Sequence, residues 1–179
     1  MRTFSEERLG LDCGVDEVGR GSWAGPVVAA AVILPFGFES SQIDDSKKIS
    51  KELRKKLFDQ IILSADFGVG YGSVREINLY NILQATFLAM RRAVANLKCL
   101  PKRVLVDGSN IPSGLPCIAN SVVKGDTKVL SIAAASIIAK ITRDQFMRDL
   151  SVIYPGYGWE RNVGYGVKEH RDALNFCTD

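Results

Sequence analysis

Two short apolar runs near the start of the chain constrain its fold more than any other feature. Leu11 to Val18 ends in acidic residues, Val27 to Leu34 is rich in β-branched side chains, and the glycine-rich segment Gly19 to Pro26 joins them. Short apolar runs bounded by glycine and proline are typical of buried strands. The pattern therefore predicts two buried strands with a tight connection.

The segments that follow alternate between helical and strand-like patterns. The first is a predicted helix that is capped by Ser50 and carries apolar Leu53, Leu57, Ile61 and Ile62. It is followed in chain order by a predicted strand over Phe67–Val74, a helix over Tyr80–Leu97, and strands over Arg103–Asp107 and Ile118–Val123. The last predicted segments are a helix over Val129–Leu150, a loop over Tyr154–Tyr165 and a helix over Lys168–Phe176. Strands followed by alternating helices and strands suit a mixed sheet flanked by helices. The sequence therefore predicts an α/β fold.

The size and composition of the chain fit one ordinary globular domain. The 179 residues are 46% hydrophobic and 24% charged, close to the average for globular proteins. We therefore expect residues 1–179 to form a single domain. The formal net charge of +3, from 23 basic and 20 acidic residues, permits a polyanionic partner without requiring one.

No segment predicts a membrane span or a zinc site. The longest apolar stretch, Ala24 to Pro35, is interrupted by Pro26 and falls short of the roughly 18 residues that span a bilayer. The first eight residues lack the apolar core of a signal peptide. We expect a cytoplasmic protein with no membrane contact and four reduced cysteines. Because no CxxC pair exists and His170 is the only histidine, zinc is not expected.

Acidic residues stand at the boundaries of three apolar segments. Asp16 and Glu17 end the first run, and Asp107 ends a later strand-like run. Asp126 precedes the long helix. Each position also has an ordinary alternative, namely a solvated turn after the first strand, a turn-forming Asp-Gly, and an acid at a helix start.

Taken together, these acids predict a divalent-metal site. Carboxylates that converge without counter-ions repel one another by about 4 kcal/mol per pair at about 4 Å and an effective dielectric constant of about 20. A folded protein keeps such a cluster only with cations, and all-oxygen ligands favour Mg²⁺ or Mn²⁺. Two such ions activate a water and stabilise the leaving oxygen of a phosphodiester. The absence of a GxxxxGK[ST] motif argues against nucleoside triphosphate hydrolysis.

Longer motifs follow one another through almost the whole chain. They are Asp16–Gly21 with Ala24–Ile33, Asp45–Lys48, Lys124–Asp126 with Ile132–Lys140 and Thr142–Asp144, and Tyr154–Gly158 with Gly164–Gly166 and Lys168–His170. In this order they resemble ribonuclease HII, the bacterial type 2 ribonuclease H family. The resemblance implies a ribonuclease H-like fold, with a central mixed β-sheet flanked by α-helices, and a catalytic domain that fills the chain.

The same resemblance implies an activity and its substrates. Members of this family hydrolyse the RNA strand of RNA·DNA hybrids and cut on the 5′ side of single ribonucleotides embedded in duplex DNA, leaving a 5′-phosphate and a 3′-hydroxyl. We therefore expect a metal-dependent endoribonuclease, using two Mg²⁺ or Mn²⁺ ions, that acts in ribonucleotide removal. We expect it to be a monomer.

The resemblance also assigns roles to individual residues. The catalytic, metal-binding carboxylates correspond to Asp16, Glu17, Asp107 and Asp126. The segment that reads the ribose 2′-hydroxyl corresponds to Gly19, Arg20 and Gly21, and the tyrosine that stacks at the RNA–DNA junction to Tyr165. The residues suit these roles, because glycine permits close approach of the backbone to the sugar and an aromatic ring can stack on a sugar or base. By themselves they would equally fit a tight turn and a surface tyrosine.

Further polar residues are candidates for supporting roles. Phosphate contacts are expected among Arg20, Lys47, Lys48, Lys124, Lys140 and Arg143. For Lys48 and Arg143 an ordinary solvated surface charge is the favoured alternative. Ser136 and Thr142 either support the site or simply lie on the long helix. For His170 a structural role is favoured over that of a general base.

Two features depart from the family pattern. The sequence stops at Asp179, soon after His170, without the further helix and basic tail of many relatives, so we expect lower substrate affinity. Trp23 stands where relatives often have small or apolar residues and is expected to alter packing near the 2′-hydroxyl reader.

Two other functions also fit a cluster of acids. One is a structure-specific DNA nuclease on the same fold, such as a resolvase or integrase. The other is a module that binds hybrids without cutting them. The Gly-Arg-Gly segment and Tyr165 argue against the first, because they imply a ribose-specific site. Retention of all four acids argues against the second, because a binder gains nothing from acids that face phosphates.

Overall fold

The fold is built on a five-stranded mixed sheet, seen in a computed structural model that describes residues 10–38, 43 and 50–176. The strands, in chain order, are β1 (Asp12–Val18), β2 (Val27–Ile33), β3 (Asp66–Gly72), β4 (Arg103–Asp107) and β5 (Ile118–Val122). They lie in the order β3-β2-β1-β4-β5. The first three strands pair antiparallel, whereas β4 and β5 run parallel to β1. The predicted mixed sheet is therefore confirmed.

Helices cover both faces of this sheet. They are α1 (Lys51–Ser64), α2 (Val74–Ala95), α3 (Leu130–Ile153), the single-turn α4 (Trp159–Asn162) and α5 (Lys168–Phe176). One core cluster joins α2 to the sheet, and a second joins α1 and α3 to the opposite face. Every residue of β2 is buried, because this interior strand is covered on both sides. No helix in the described part of the chain is long and apolar enough to cross a membrane.

Glycines let the two main helices approach the sheet closely. In β3, a Cβ atom added at Gly68, Gly70 or Gly72 would collide with backbone carbonyl oxygens of α2. In β1, a Cβ atom at Gly14 would collide with the backbone of Ser131 and Ile132 at the start of α3. The contact at Gly14 positions the first turns of α3 beside the last residues of β1.

Gly14→Ala is expected to destabilise the fold, because the added methyl group must displace backbone at the start of α3. Overpacking of this kind costs about 1–3 kcal/mol of unfolding free energy, or several degrees in Tm for a chain of this size. Gly21→Ala is the control, since nothing lies within 4 Å of an added Cβ atom there. Equal decreases in Tm for the two variants, measured by thermal unfolding, would contradict the close packing of α3 against Gly14.

Helix α2 differs from its sequence prediction, which placed it at Tyr80–Leu97. It begins at Val74 because Ser73 and Glu76 form a reciprocal capping box. The Ser73 N–H donates to Glu76 Oε2 at 2.9 Å, and the Glu76 N–H donates to Ser73 Oγ at 3.2 Å. Strand β3 consequently ends at Gly72 rather than at Val74. A kink at Asn81 (φ 73°) divides the helix.

The prediction of a loop over Tyr154–Tyr165 was partly wrong. Helix α3 continues to Ile153, beyond the predicted end at Leu150, and α4 forms one turn over Trp159–Asn162. The predicted strands Arg103–Asp107 and Ile118–Val123 and the predicted helix Lys168–Phe176 match the observed elements to within one residue. The Ser50 cap is confirmed, with its Oγ accepting from the Leu53 N–H at 3.2 Å.

Candidate active site

The register of two parallel strands brings two acids together at one edge of the sheet. Strands β1 and β4 pair with Val15 opposite Val106, so the next residues along, Asp16 and Asp107, occupy neighbouring positions at the carboxyl ends. Parallel strands in register direct equivalent side chains to the same face. For this pair it is the face covered by α3, since Asp16 lines a cleft with Ile137.

A short turn adds the third acid. The 3₁₀ turn Gly125–Thr127 lies between β5 and α3 and carries Asp126. The Gly125 N–H donates to Asp107 Oδ1 at 2.6 Å, which fixes this carboxylate beside the turn. A Cβ atom at Gly125 would press on Ile132 and on Asp107, so a larger residue at this position would have to displace those side chains. The turn and the end of β4 are thereby held together.

Glu17 joins the cluster because β1 ends at Val18. The Glu17 N–H donates to Asp16 Oδ1 at 2.7 Å, and its Oε1 accepts from Arg20 Nη1 at 3.2 Å. A cleft of about 270 Å³ opens over these residues, and its lining includes Asp16, Glu17, Asp126, Arg54, Ser136 and Lys140. Three of the four predicted acids therefore line one cleft, and the fourth, Asp107, lies at the neighbouring strand end beside Asp16.

The electrostatics of this cluster favour a bound cation. The pKa of Asp16 is raised well above its usual value, first by burial and then by the negative charges of Glu17, Asp107 and Asp126. Burial also raises the pKa of Glu17, against the opposing influence of Arg20. Both shifts arise because negative charge is held in a poorly solvated place. A cation would relieve both effects.

The donor set fits a hard divalent cation in its chemistry. All four side chains offer carboxylate oxygens, the ligands that Mg²⁺ and Mn²⁺ prefer. Within residues 10–38, 43 and 50–176, no group of three or more acidic, histidine or cysteine side chains has the geometry to hold a metal ion as it stands. The acids have protein partners here, among them the Glu17 N–H for Asp16, Arg20 for Glu17 and the Gly125 N–H for Asp107.

The Gly-Arg-Gly segment follows β1 directly and lies beside the acids. Gly19 is buried with φ +101°, and a Cβ atom there would collide with Arg143. Gly21 is exposed and has open space where a side chain would be. The first glycine is thus required by the fold, whereas the second leaves room for a ligand to approach the backbone.

Tyr165 lies on a second loop that is joined to this segment. Its ring is half-buried and lies 5.5 Å from the Arg143 guanidinium carbon. The N–H groups of Trp23 and Ala24 both donate to the Gly164 carbonyl, at 2.8 and 3.2 Å. Trp23 also covers Gly166, where a Cβ atom would collide with its ring. The unusual tryptophan therefore packs between the two loops.

Both sequence-based expectations for Arg143 were wrong. It is neither a phosphate ligand nor a solvated surface charge, because its side chain is fully buried. His170 has the structural environment that was favoured: its Nε2 accepts from Trp159 Nε1 at 3.1 Å, and its Nδ1 lies 3.0 Å from the Tyr165 carbonyl oxygen. With Nε2 as acceptor, Nδ1 carries the proton and donates to that carbonyl.

Of the remaining polar residues predicted to support the site, some line the cleft and others lie away from it. Lys140 lines the cleft and pairs with Asp144 at 2.8 Å, and Ser136 lines it while donating to a helix carbonyl. Lys124 is exposed on the turn, and Thr142 lines a separate depression on α3. Lys47 and Lys48 lie outside the described residues.

Arg54 of α1 lines the cleft and was missed by sequence reasoning. The prediction of α1 rests on its apolar stripe, which gives no information about the polar residues between Leu53 and Leu57. The polar face of α1 carries the only available signal for Arg54.

Comparison with known proteins assigns the family. The family model for ribonuclease HII matches residues 13–176. The chain belongs to the ribonuclease HII family. It is 54% identical over 172 residues to the ribonuclease HII of Jannaschia sp. strain CCS1, covering 96% of this chain and 86% of that protein. Membership makes it a ribonuclease H, a hydrolase with endoribonuclease activity on RNA–DNA hybrids.

Solved structures place the fold in the same group. The ribonuclease HII of Archaeoglobus fulgidus, determined in complex with PCNA, superposes with a TM-score of 0.77 at 26% identity, covering 93% of this chain and 87% of that one. Ribonuclease H2 of Pyrococcus horikoshii OT3 gives a TM-score of 0.75 at 27% identity, covering 91% and 84%. The predicted ribonuclease H-like fold is confirmed.

Proposed function

We propose that this chain cuts the RNA strand of RNA·DNA hybrids and also cuts on the 5′ side of single ribonucleotides in duplex DNA, leaving a 5′-phosphate and a 3′-hydroxyl. The observation that carries the proposal is the β1–β4 register, which brings Asp16 beside Asp107. The segment Gly19–Gly21 continues from the same strand end. The acids proposed for phosphodiester hydrolysis and the glycines proposed for ribose recognition are therefore adjacent, because both lie at the end of β1.

We propose that Mg²⁺ or Mn²⁺, two ions per site, are held by the catalytic carboxylates Asp16, Glu17, Asp107 and Asp126. When bound, such ions supply activation of the attacking water and stabilisation of the leaving oxygen. The Gly125 N–H orients Asp107, and Arg20 holds Glu17, so the donors are restrained before any cation arrives. The burial and mutual repulsion that raise the pKa of Asp16 support a cation-binding role.

Ribose selectivity is proposed for Gly19, Arg20 and Gly21. The 2′-hydroxyl is both donor and acceptor, and an exposed glycine backbone offers N–H and C=O groups without a side chain in the way. Tyr165 is proposed to stack at the RNA–DNA junction, and Lys47 to contact a phosphate. Arg54 and Lys140, which line the cleft, add positive charge next to the acids and suit a polyanionic substrate.

Gly21→Ala is expected to leave stability unchanged while lowering cleavage. Because the added methyl group meets no protein atom, the free energy of unfolding should stay within about 0.5 kcal/mol of wild type. The same methyl group would hold the ribose away from the backbone, and misplacement on this scale costs on the order of 10- to 100-fold in rate. Thermal unfolding and single-turnover cleavage measure the two effects. Wild-type rates in the variant would remove Gly21 from the substrate site.

The experiment that tests the function compares three duplexes: one with a single ribonucleotide, one RNA·DNA hybrid and one of DNA alone. Each is incubated with Mg²⁺, with Mn²⁺ and with chelator, and products are mapped to the nucleotide. Metal-dependent cutting of the first two, 5′ to the ribonucleotide, is expected. Cutting of DNA alone would favour the structure-specific DNA nuclease. Binding without cutting by a folded sample would favour the non-cutting module. The single-domain organisation, monomeric state and cytoplasmic location stay predictions.

A further inference from the structure

Arg143 is an unusual side chain for the interior of this fold. It lies on α3, is fully buried, and is the largest of the fully buried side chains in the described part of the chain. Its guanidinium donates to four oxygens, none of them a carboxylate: the carbonyls of Pro26 (2.9 Å), Val163 (2.8 Å) and Ala24 (3.0 Å), and Ser22 Oγ (2.8 Å). A buried charge whose hydrogen bonds all go to neutral oxygens is costly, so a role beyond stability is expected for it.

The four acceptors belong to the two loops that flank the candidate site. Three lie on the segment after β1, and the Ser22 hydroxyl extends the link by donating to the Gly19 carbonyl at 2.8 Å. The fourth, the Val163 carbonyl, lies two residues before Tyr165. The Tyr165 ring lies against the same guanidinium at 5.5 Å. One side chain therefore contacts both the Gly-Arg-Gly segment and the loop of the stacking tyrosine.

The second loop needs such support because its backbone is strained. Val163 is β-branched and has φ +44°, a conformation that β-branched residues rarely adopt. Strained residues of this kind persist only where the surroundings over-determine them, and they cluster at functional sites. The Arg143 bond to the Val163 carbonyl and the Gly164 carbonyl bonds to Trp23 and Ala24 provide that restraint.

We propose that Arg143 is a positioning residue that holds the ribose-reading segment Gly19–Gly21 and Tyr165 at a fixed separation. Recognition of the 2′-hydroxyl and stacking at the junction are thereby coupled through one buried guanidinium. The inference rests on the proposed function of these two loops. Arginine is required because its planar fork reaches four acceptors at once, whereas lysine offers three donors from a single point.

The first test compares Arg143→Lys with Arg148→Lys on the same helix. Arg143→Lys retains the charge but cannot span the acceptors. On a duplex with one ribonucleotide, kcat/KM is expected to fall about 30- to 100-fold, mainly through kcat, because misplacement by about 1 Å costs on the order of 100-fold. Arg148, which bonds Gln145 on its own helix, should tolerate lysine with less than about a twofold change. Equal effects in the two variants would overturn the proposal.

A double-mutant cycle separates positioning from a general loss of stability. If Arg143 acts partly through Tyr165, the losses caused by Arg143→Lys and Tyr165→Ala should be less than additive, because coupled residues are not additive. Additive losses would overturn the proposal. Val94→Ala, in the core on the far face of the sheet, is the stability control. If it lowers cleavage as much as Arg143→Lys at matched distance from Tm, the effect of Arg143 is not positional.

Hydrogen exchange does not depend on cleavage, so it tests the positioning role of Arg143 separately from the proposed function. Amide hydrogen exchange of Trp23, Ala24 and the 163–166 loop should accelerate in Arg143→Lys, with α2 unchanged. Ser22→Ala removes one acceptor of Arg143 and the link to Gly19. It should accelerate exchange less than Arg143→Lys and lower the cleavage rate by about 3- to 10-fold. This variant replaces Arg143→Lys in the test if the latter does not fold. Unchanged exchange in both loops would overturn the coupling. A wild-type protein that cuts no ribonucleotide substrate would refute the proposed function, whatever the exchange data show.

Discussion

Asp16→Asn is expected to abolish cleavage of a single-ribonucleotide duplex while leaving the protein folded. The substitution keeps the shape of the side chain and its capacity to accept from the Glu17 N–H, but it removes one negative charge from the acid cluster. Loss of one strong electrostatic contribution in an active site costs about 3–4 kcal/mol, which corresponds to roughly 160- to 870-fold in rate. Single-turnover cleavage with excess protein measures the change.

The stability of Asp16→Asn provides the second half of this prediction. Burial and three neighbouring acids raise the pKa of Asp16, so in the absence of metal its ionised form destabilises the fold. The variant is therefore expected to unfold at the same or a higher temperature than wild type in chelator. Added Mn²⁺ should raise the Tm of wild type more than that of the variant, because a ligand that binds only the folded state stabilises it.

Asp149→Asn is the matched control for this experiment, since it makes the same chemical change on an exposed part of α3. It should cleave at the wild-type rate. A lower Tm for Asp16→Asn in chelator would assign Asp16 a structural role. Retained cleavage by this variant would remove Asp16 from the catalytic set.

The convergence of the acids was predictable in outline but not in geometry. Acids that end apolar strands tend to meet at one sheet edge, so Asp16 and Asp107 could be grouped from their sequence positions alone. Their pairing depends on β4 lying next to β1 in a particular register, which is a long-range contact that no local pattern encodes. The bond from the Gly125 N–H to Asp107 likewise joins residues far apart in the sequence.

The errors in secondary structure have local physical causes. The strand prediction was extended to Val74 because the alternating glycines of β3 continue to Gly72, yet Ser73 and Glu76 match a capping box and mark the start of α2. Asn81 then interrupts the helical periodicity with a positive φ. The apolar stripe could therefore be recognised only after the kink.

The burial of Arg143 could have been detected from helical spacing. Arg143 lies four residues after Ala139 and four before Met147, both of which are fully buried, so it occupies the buried stripe of α3. Charged residues are nearly always solvated unless paired, and this rule alone favoured a solvated surface charge for Arg143. The compensating acceptors are loop carbonyls, which only the folded backbone brings together.

Tyr165→Ala is expected to slow cleavage at a single ribonucleotide more than it weakens duplex binding. Stacking of an aromatic ring on a base or sugar contributes about 1–3 kcal/mol, or roughly 5- to 150-fold in rate at 1.36 kcal/mol per tenfold. Phosphate contacts elsewhere supply most of the affinity for the duplex, so they should preserve binding. Cleavage rates with saturating protein and the Kd measured in Ca²⁺ or chelator separate the two quantities.

Tyr165→Phe is the control that isolates the ring from the hydroxyl group. It retains the stacking surface and the contact with Arg143, which is made by the ring face, so cleavage should stay within a few-fold of wild type. Tyr165→Ala also removes this cation–π contact, worth about 0.5–2 kcal/mol, so rates are compared at equal distance below each Tm. If cleavage and binding fall by the same factor, Tyr165 contributes to general affinity. If Tyr165→Phe lowers the cleavage rate as much as Tyr165→Ala, the hydroxyl group rather than stacking is the functional part of the side chain.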